Sequence, residues 1–297
     1  MKSGTKINEG APRYIFLAVN AVVLGLIGFC CLAPMWHVFC CSISDPGALA
    51  RSGGFHLLPI APYSFDGYKA VFGYRNILIG YTNTLFYVVF GVALNLLLTI
   101  PCAYVLSRKR FLPANGFMLF MAFTMIFSGG LIPTYLVFVK LGLIDTRLAI
   151  LLCTAFNAFN MVILRTSFLS IPVALEESAL LDGANDLQIL VRIVLPLSKA
   201  SVAVITLFVA VGIWNSWFTS AIYLMDRGKW PIQLFLREVL INNSQKSLEA
   251  GVKASAESLQ TLVKYAITIV ATLPILCVYP FVQRYFVKGV MIGSIKG

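Results

Sequence analysis

The sequence predicts an all-α, polytopic membrane protein with six transmembrane helices. Three observations predict it. Of 297 residues, 59% are hydrophobic and 12% charged, and the mean hydropathy is +0.86; a soluble domain carries about 25% charged residues. Six stretches approach or exceed the ~20 apolar residues that cross a hydrocarbon core. None of the six holds Asp, Glu, Lys or Arg in its middle, as a bilayer interior demands.

The first span, Tyr14–Cys41, is too long for a removable signal peptide and has no small-x-small cleavage site, so it reads as a signal anchor. The second, Ile77–Leu106, ends at the basic cluster Arg108-Lys109-Arg110. The third, Ala114–Val139, is interrupted by "SGGLIP", Ser128–Pro133. Two glycines and a proline at membrane depth are tolerated only where the backbone faces protein or a watery cavity, so Ser128, Gly129 and Gly130 mark a pathway wall or hinge. The fourth span, Leu148–Leu164, is the shortest; Ala200–Met225 and Leu262–Gln283 complete the set.

Short basic loops set the orientation. Lys2, Lys6 and Arg13 precede the first span, Arg108–Arg110 follow the second, and Arg284, Lys288 and Lys296 follow the sixth. An even span count puts both termini on the side these clusters mark as cytoplasm, with 42–76, 140–147 and 226–261 outside. The chain then divides into residues 1–76 (N-terminal segment, first span and first outer loop), a transmembrane core at 77–286 with a cytoplasmic loop at 165–199, and a cytoplasmic tail at 287–297.

Composition also excludes functions. The net charge of +11 lies mostly in loops between spans, without the aromatic-and-basic patch of a nucleic-acid surface. The seven cysteines sit in or at the rim of apolar runs, where cysteine packs as a small hydrophobe, and neither they nor His37 and His56 have the spacing of a metal site. No G-x-x-x-x-G-K-[ST] phosphate cradle is present, so any ATP and Mg must be bound elsewhere. The absence of charge at membrane depth argues against an ATP-independent carrier or channel for a polar solute, the competing reading. It also leaves no acid/base pair for an intramembrane enzyme. The polar groups left in the spans are Asn83, Asn95, Asn157, Asn160 and Asn215 with several threonines. Such amides serve either as packing hydrogen bonds between helices or as a neutral lining for a hydroxyl-rich solute, and the sequence leaves both open.

The cytoplasmic loop is the most informative stretch. Four of twelve acidic residues fall within "EESALLDGAND", Glu176–Asp186. Ser170 and Pro172 open a helix, Asp182-Gly183 turns it, and Asp182 or Asn185 caps a second one. There Leu187, Leu190, Val191 and Val194 recur at helical spacing and Pro196 stops or kinks the run. The predicted product is helix, glycine turn, helix, with carboxylates placed for a partner's arginine.

The spacing Glu177-x-Ala179, then Asp182-Gly183-Ala184, then Ile193-x-Leu195-Pro196 resembles the EAA loop of ABC importer permeases, with Ser178 in place of the middle alanine. "NTLFYVV" (Asn83–Val89), "GGLIPTYLVFVKLGLIDT" (Gly129–Thr146), "WNSWF" (Trp214–Phe218) and the tail "RYFVKGVMIGSIKG" (Arg284–Gly297) resemble the MalG-like half of carbohydrate importers, nearest the oligosaccharide permeases of the lipoprotein-named and polygalacturonan type. The resemblance implies a type I ABC importer transmembrane fold with a cytoplasmic coupling helix, in the bacterial cell membrane. It implies a second homologous permease, two ATP-binding cassette subunits, an extracellular solute-binding protein and a carbohydrate solute as partners. Glu176, Glu177, Ala179, Asp182, Gly183, Ala184, Ile193, Leu195 and Pro196 then form the ATPase-coupling site, and Lys288, Gly289 and Lys296 an ATPase-contacting tail. Ser128, Gly129, Gly130, Asn83, Asn157, Asn160 and Asn215 are the candidate solute path.

Overall fold

The computed structural model describes residues 11–108, 110–249, 261–277 and 280. Among them every regular element is helical. They fall into two compact units, Met1–Gly73 with Asn243–Val270 and Tyr74–Asn242 with Ala271–Gly297.

In the first unit, α1 (Ala11–Ser42) is exposed along its whole surface from Arg13 to Leu32, the state of an apolar helix written for lipid. Its end is fixed by side chains to backbone: Ser44 Oγ donates to Cys40 O at 2.7 Å and accepts from Ile60 N at 3.0 Å. The short α2 (Pro46–Ser52) follows, with Asp45 accepting from Ala48 N at 2.7 Å and Pro46 in the first turn, a regular helix start. On α3 (Asp66–Gly73), Gly67 lets the helix come within contact of Leu262, because a Cβ there would lie 3.1 Å from the Leu262 carbonyl oxygen. All seven cysteines are free thiols.

The second unit is built round α4 (Arg75–Ser107), 33 residues long. Its buried stripe runs Gly80, Asn83, Thr84, Tyr87, Gly91, Asn95, Thr99, Ala103. Apart from Tyr87 these are small or amide-bearing residues at helical spacing, which let membrane helices approach closely. α8 (Ala158–Leu169) and α12 (Lys199–Trp214) pack on this stripe, with Met161, Leu164, Phe168, Ile205, Val209 and Ile213 filling the core between them. Asn95 Nδ2 donates to Thr154 O at 2.9 Å while Thr99 Oγ1 donates to Asn95 Oδ1 at 3.3 Å, so Asn95 is a packing amide.

Several expected spans are broken helices. α5 (Ala114–Ile126) and α6 (Leu131–Lys140) meet at 108° across Phe127–Gly130, with Gly130 at φ +86. α7 (Arg147–Cys153) and α8 meet at 50°. The expected fifth span, Ala200–Met225, stops at Trp214 and resumes as α13 (Trp217–Tyr223), with Asn215 ending the first piece. Two helices, Arg13–Ser42 and Arg75–Ser107, cross a membrane unbroken by length and composition, or up to five if each bent pair is one span. The apolar α15 (Thr261–Cys277) lies where the sixth is expected, and the continuation to Gln283 falls mostly outside the described residues.

The upper end of α4 is latched to the turn before α14 (Ile232–Glu249). Asn83 Nδ2 donates to Gly228 O at 2.8 Å and Trp230 O at 3.1 Å, and its Oδ1 accepts from Arg147 at 3.0 Å. Tyr87 donates to Lys229 O at 2.8 Å, and Thr84 Oγ1 accepts from Ile232 N at 2.9 Å. Gly80 makes room: a Cβ there would lie 3.0 Å from Ile232 Cα. Asp145, held at φ +58, closes the latch by accepting from Met225 N, Asp226 N and the Lys229 ammonium.

The Asp226 amide and the Lys229 ammonium hold the Asp145 carboxyl below its ordinary pKa, and Asp145 raises that of Lys229. A depressed carboxylate stabilises the fold above its unfolded pKa of about 3.9 and loses that stability as pH falls through the lower folded value. A raised ammonium stabilises below its unfolded pKa of about 10.4 and loses that contribution as pH rises further. Thermal melts of the purified protein should therefore show no contribution from this pair to pH dependence across the neutral range. Asp145→Asn should lower the melting temperature at pH 7 and shrink its fall in acid; an unchanged acid limb would contradict the latch.

Candidate functional site

The loop expected to be helix, glycine turn, helix has that form. α9 (Val173–Leu181) starts after Pro172 and ends in a paired cap: Gly183 N donates to Leu180 O at 3.0 Å and Ala184 N to Ala179 O at 2.9 Å, with Gly183 at φ +83. This two-bond C-cap needs a residue in the left-handed region, where glycine sits without penalty. Of the two cap candidates, Asn185 is the one used. It accepts from Gln188 N at 2.8 Å while Gln188 Oε1 accepts from Asn185 N at 2.9 Å, a reciprocal capping box.

The second piece runs as α10 (Asp186–Ile189), a π-turn (Leu190–Val194) and α11 (Leu195–Leu197), 84° from α12. Pro196 explains the π-turn. Proline has no N–H to donate and its ring crowds the carbonyl four residues back. Widening the turn so that Leu195 N bonds Leu190 O relieves that crowding without ending the helix. The expected apolar face divides. Leu190 and Val194 are buried with Ile189 against the bundle, whereas Leu187 is 68% exposed and Val191 53% exposed. Leu181, at the turn, is 89% exposed. Apolar residues thus point both into the bundle and away from it.

The carboxylates divide the same way. Glu176 pairs with Arg108, and both side chains are nearly covered, at 15% and 11% exposure. The Arg108 guanidinium also lies 4.6 Å from the centre of the Tyr104 ring, and its Nε donates to Ser107 Oγ. Burial lowers its pKa, opposed by Tyr104 and Asp186. Asp186 pairs with Arg110 at 3.0 Å in an exposed bridge, worth little by itself. One residue beyond Glu176, about 100° further round the helix, Glu177 is exposed and has no cation partner among the described residues. Ile193 and Leu195 are half-buried and Asp182 is exposed. Arg108 is the residue that sequence reasoning missed: it reads as one member of a topogenic basic cluster, and nothing local ties it to a glutamate 68 positions away.

Two of the helix breaks meet at a cavity of about 440 Å³, lined by Thr124 and Met125 at the end of α5 and by Phe156, Asn157, Ala158 and Phe159 at the start of α8. Its lining carries no charge. Asn157 caps α8 by accepting from Asn160 N at 3.1 Å, which leaves its NH2 group for other partners. Of the path candidates, Asn157 lines this cavity, whereas Ser128, Gly129 and Gly130 stand in the break after α5 and are not among its lining residues. Asn160 is buried one turn into α8, Asn215 is an exposed helix terminus, and Asn83 is held in the latch above. Lys288, Gly289 and Lys296 lie outside the described residues.

Comparison with known proteins gives four matches. Residues 75–292 match the family described as the inner membrane component of binding-protein-dependent transport systems. The chain is 42% identical over 290 residues to the polygalacturonan/rhamnogalacturonan transport system permease protein YtcP of Bacillus subtilis, covering 96% of each chain. It is 39% identical over 293 residues to protein LplC of the same organism, covering 99% of this chain and 98% of that one. Among solved structures it is similar to a chain of a bacterial ABC transporter involved in the import of the acidic polysaccharide alginate. That match has a TM-score of 0.83 and 37% identity, and covers 94% of this chain and 99% of the other.

Gly183 has open space where a Cβ would sit, so substitution there acts through backbone conformation alone. A β-branched residue forced to positive φ costs about 1–2 kcal/mol, whereas Asn tolerates that region. Gly183→Val should therefore speed amide exchange across residues 173–189 in the purified protein by about tenfold or more, and Gly183→Asn by far less. Equal effects would mean that the turn does not depend on the left-handed residue.

Proposed function

We infer the function from one premise: the chain belongs to the family of binding-protein-dependent transport system inner membrane components. It is a transport subunit embedded in the membrane, and nucleotide is bound by its partners. The substrate we infer is a carbohydrate, most specifically an oligosaccharide; the names of YtcP and the alginate transporter specify polymeric saccharides, which support the carbohydrate class. Both termini lie in the cytoplasm, and the EAA loop faces the ATPases there.

The observation that carries the reading is the division of the loop into an inward and an outward set. Glu176, Ile189, Leu190 and Val194 attach the loop to its own bundle. Glu177, Leu181, Leu187 and Val191 remain outward, one carboxylate among three apolar side chains. That is the chemistry of a surface that receives an arginine and an apolar socket from another subunit. A chain with no phosphate cradle needs such a surface. Taking a transporter from mostly one-side-open to mostly other-side-open requires about 5.5 kcal/mol of differential binding, and closure of an ATP-bound pair of cassettes supplies it through this contact.

The cavity between the broken helices supports the solute assignment. Irregular backbone at membrane depth is tolerated where it lines water or protein. Phe156 and Phe159 offer apolar faces to sugar rings, and Asn157 and Thr124 offer hydrogen bonds to hydroxyls. With no charge in that lining, a carboxylate on the solute would be recognised elsewhere in the assembly. The tail at 288–296 reaches toward the ATPase pair in this reading, and the second permease completes the pathway.

The test is co-purification. Tagged protein should bring down a Walker-A ATPase and a homologous permease, and Glu177→Ala should reduce the recovered ATPase at least about tenfold while the permease pair persists, as expected on losing one member of a desolvated ion pair. Full ATPase recovery with Glu177→Ala would remove Glu177 from the contact. Recovery of this chain without any ATPase would overturn the function itself.

A further inference from the structure

We propose that Arg108 and Glu176 form the joint through which movement of the coupling helix α9 reaches α4. The inference rests on the reading of this loop as the ATPase contact, and deepens it by naming how the push enters the bundle. α9 has no buried residue of its own. Ala179 packs partly against the core, and Glu176 makes the one ion pair that α9 forms among the described residues. That pair leads to the C-terminal end of α4, the helix against which both α8 and α12 pack.

The receiving end is rigid. Arg108 is fixed by Tyr104 and Ser107 beneath it, and Arg165 Nε on α8 donates to Leu106 O at 2.8 Å, closing the last turn of α4. At the other end of α4, about 32 Å away by helix rise over the 21 residues from Tyr87, the same helix holds the turn at 228–232 through Asn83, Thr84 and Tyr87. A displacement of α9 thus has a continuous helical route, through Pro101, to the opposite face of the bundle. The pair also sets the rotation of α9 about its axis. With Glu176 held inward, Glu177 is turned outward. Arg108 is therefore a positioning residue: it touches neither solute nor nucleotide, and acts through Glu176. The planar guanidinium suits this role, since a two-pronged fork fixes direction where a point charge fixes only distance.

The test uses the full complex of both permeases and both ATPases in liposomes, with its binding protein, and reads solute carried per ATP hydrolysed. Arg108→Gln and Glu176→Gln should each lower that ratio about tenfold, with ATPase still recovered in the Arg108→Gln complex. The exchange Arg108→Glu with Glu176→Arg should recover a substantial part of the loss. Arg108→Lys, which keeps the charge without the fork, should fall between, and decides the matter if the glutamine variant is not recovered. A wild-type ratio in the single variants overturns the proposal, as does an exchange no better than the worse single variant. Loss of ATPase from the Arg108→Gln complex would make the pair part of docking rather than transmission, and also overturns it. Glu177→Ala separates this idea from the reading beneath it: loss of ATPase or of coupling there beside a normal Arg108→Gln sinks the joint alone, whereas full ATPase recovery and normal coupling in Glu177→Ala sink the contact assignment.

Discussion

An unpaired charge or backbone polar group in hydrocarbon costs several kcal/mol, and that penalty arranges this protein. The ion pairs Asp145–Lys229 and Arg108–Glu176 lie beyond the apolar lengths of the helices. Polar side chains inside the bundle are amides and hydroxyls, and those on α4 are bonded to backbone or to one another. The end of α5 and the irregular backbone before α8 line a shared cavity. With ionic work confined to two ends, what happens at one must reach the other through the packing of apolar helices.

α4 is built for that. A stripe of glycine, threonine, alanine and asparagine lets α8 and α12 approach closely, and close contact is what stiffens a helix bundle where lipid offers no hydrophobic drive between helices. By contrast α1 is clothed in exposed apolar side chains over its first twenty described residues from Arg13. α9 lies between these extremes. It is regular, sharply capped and lightly attached, the properties of a part that moves as a body.

Much of this was readable in the sequence, for identifiable reasons. Apolar length gave the positions of α1 and α4, and Gly129-Gly130 gave the break in the third span, because glycine at positive φ leaves a local trace. The turn at Gly183 was readable likewise. The break before α8 was not, since "CTAFNAFN" holds neither glycine nor proline and Asn157 caps a helix from within an apolar run. The π-turn was half legible: Pro196 announces a defect, but whether a helix kinks, ends or widens depends on its neighbours. Least legible were the long-range pairings. Asn83 reads equally as packing or pathway until its partners, 145 and 147 residues on, are known, and Glu176 and Glu177 look interchangeable until Arg108 selects one of them.

On the proposed function the chain is a passive conduit, driven through the acidic turn at Glu176–Asp186. The central claim of that reading concerns where the free energy for transport enters, and the direct measurement is solute accumulation in sealed liposomes. Liposomes holding the complete complex should concentrate a labelled oligosaccharide above the outside level only when hydrolysable ATP and binding protein are both supplied. Liposomes holding this chain alone should at most equilibrate it. Uphill accumulation by the chain alone, without nucleotide, would contradict the account.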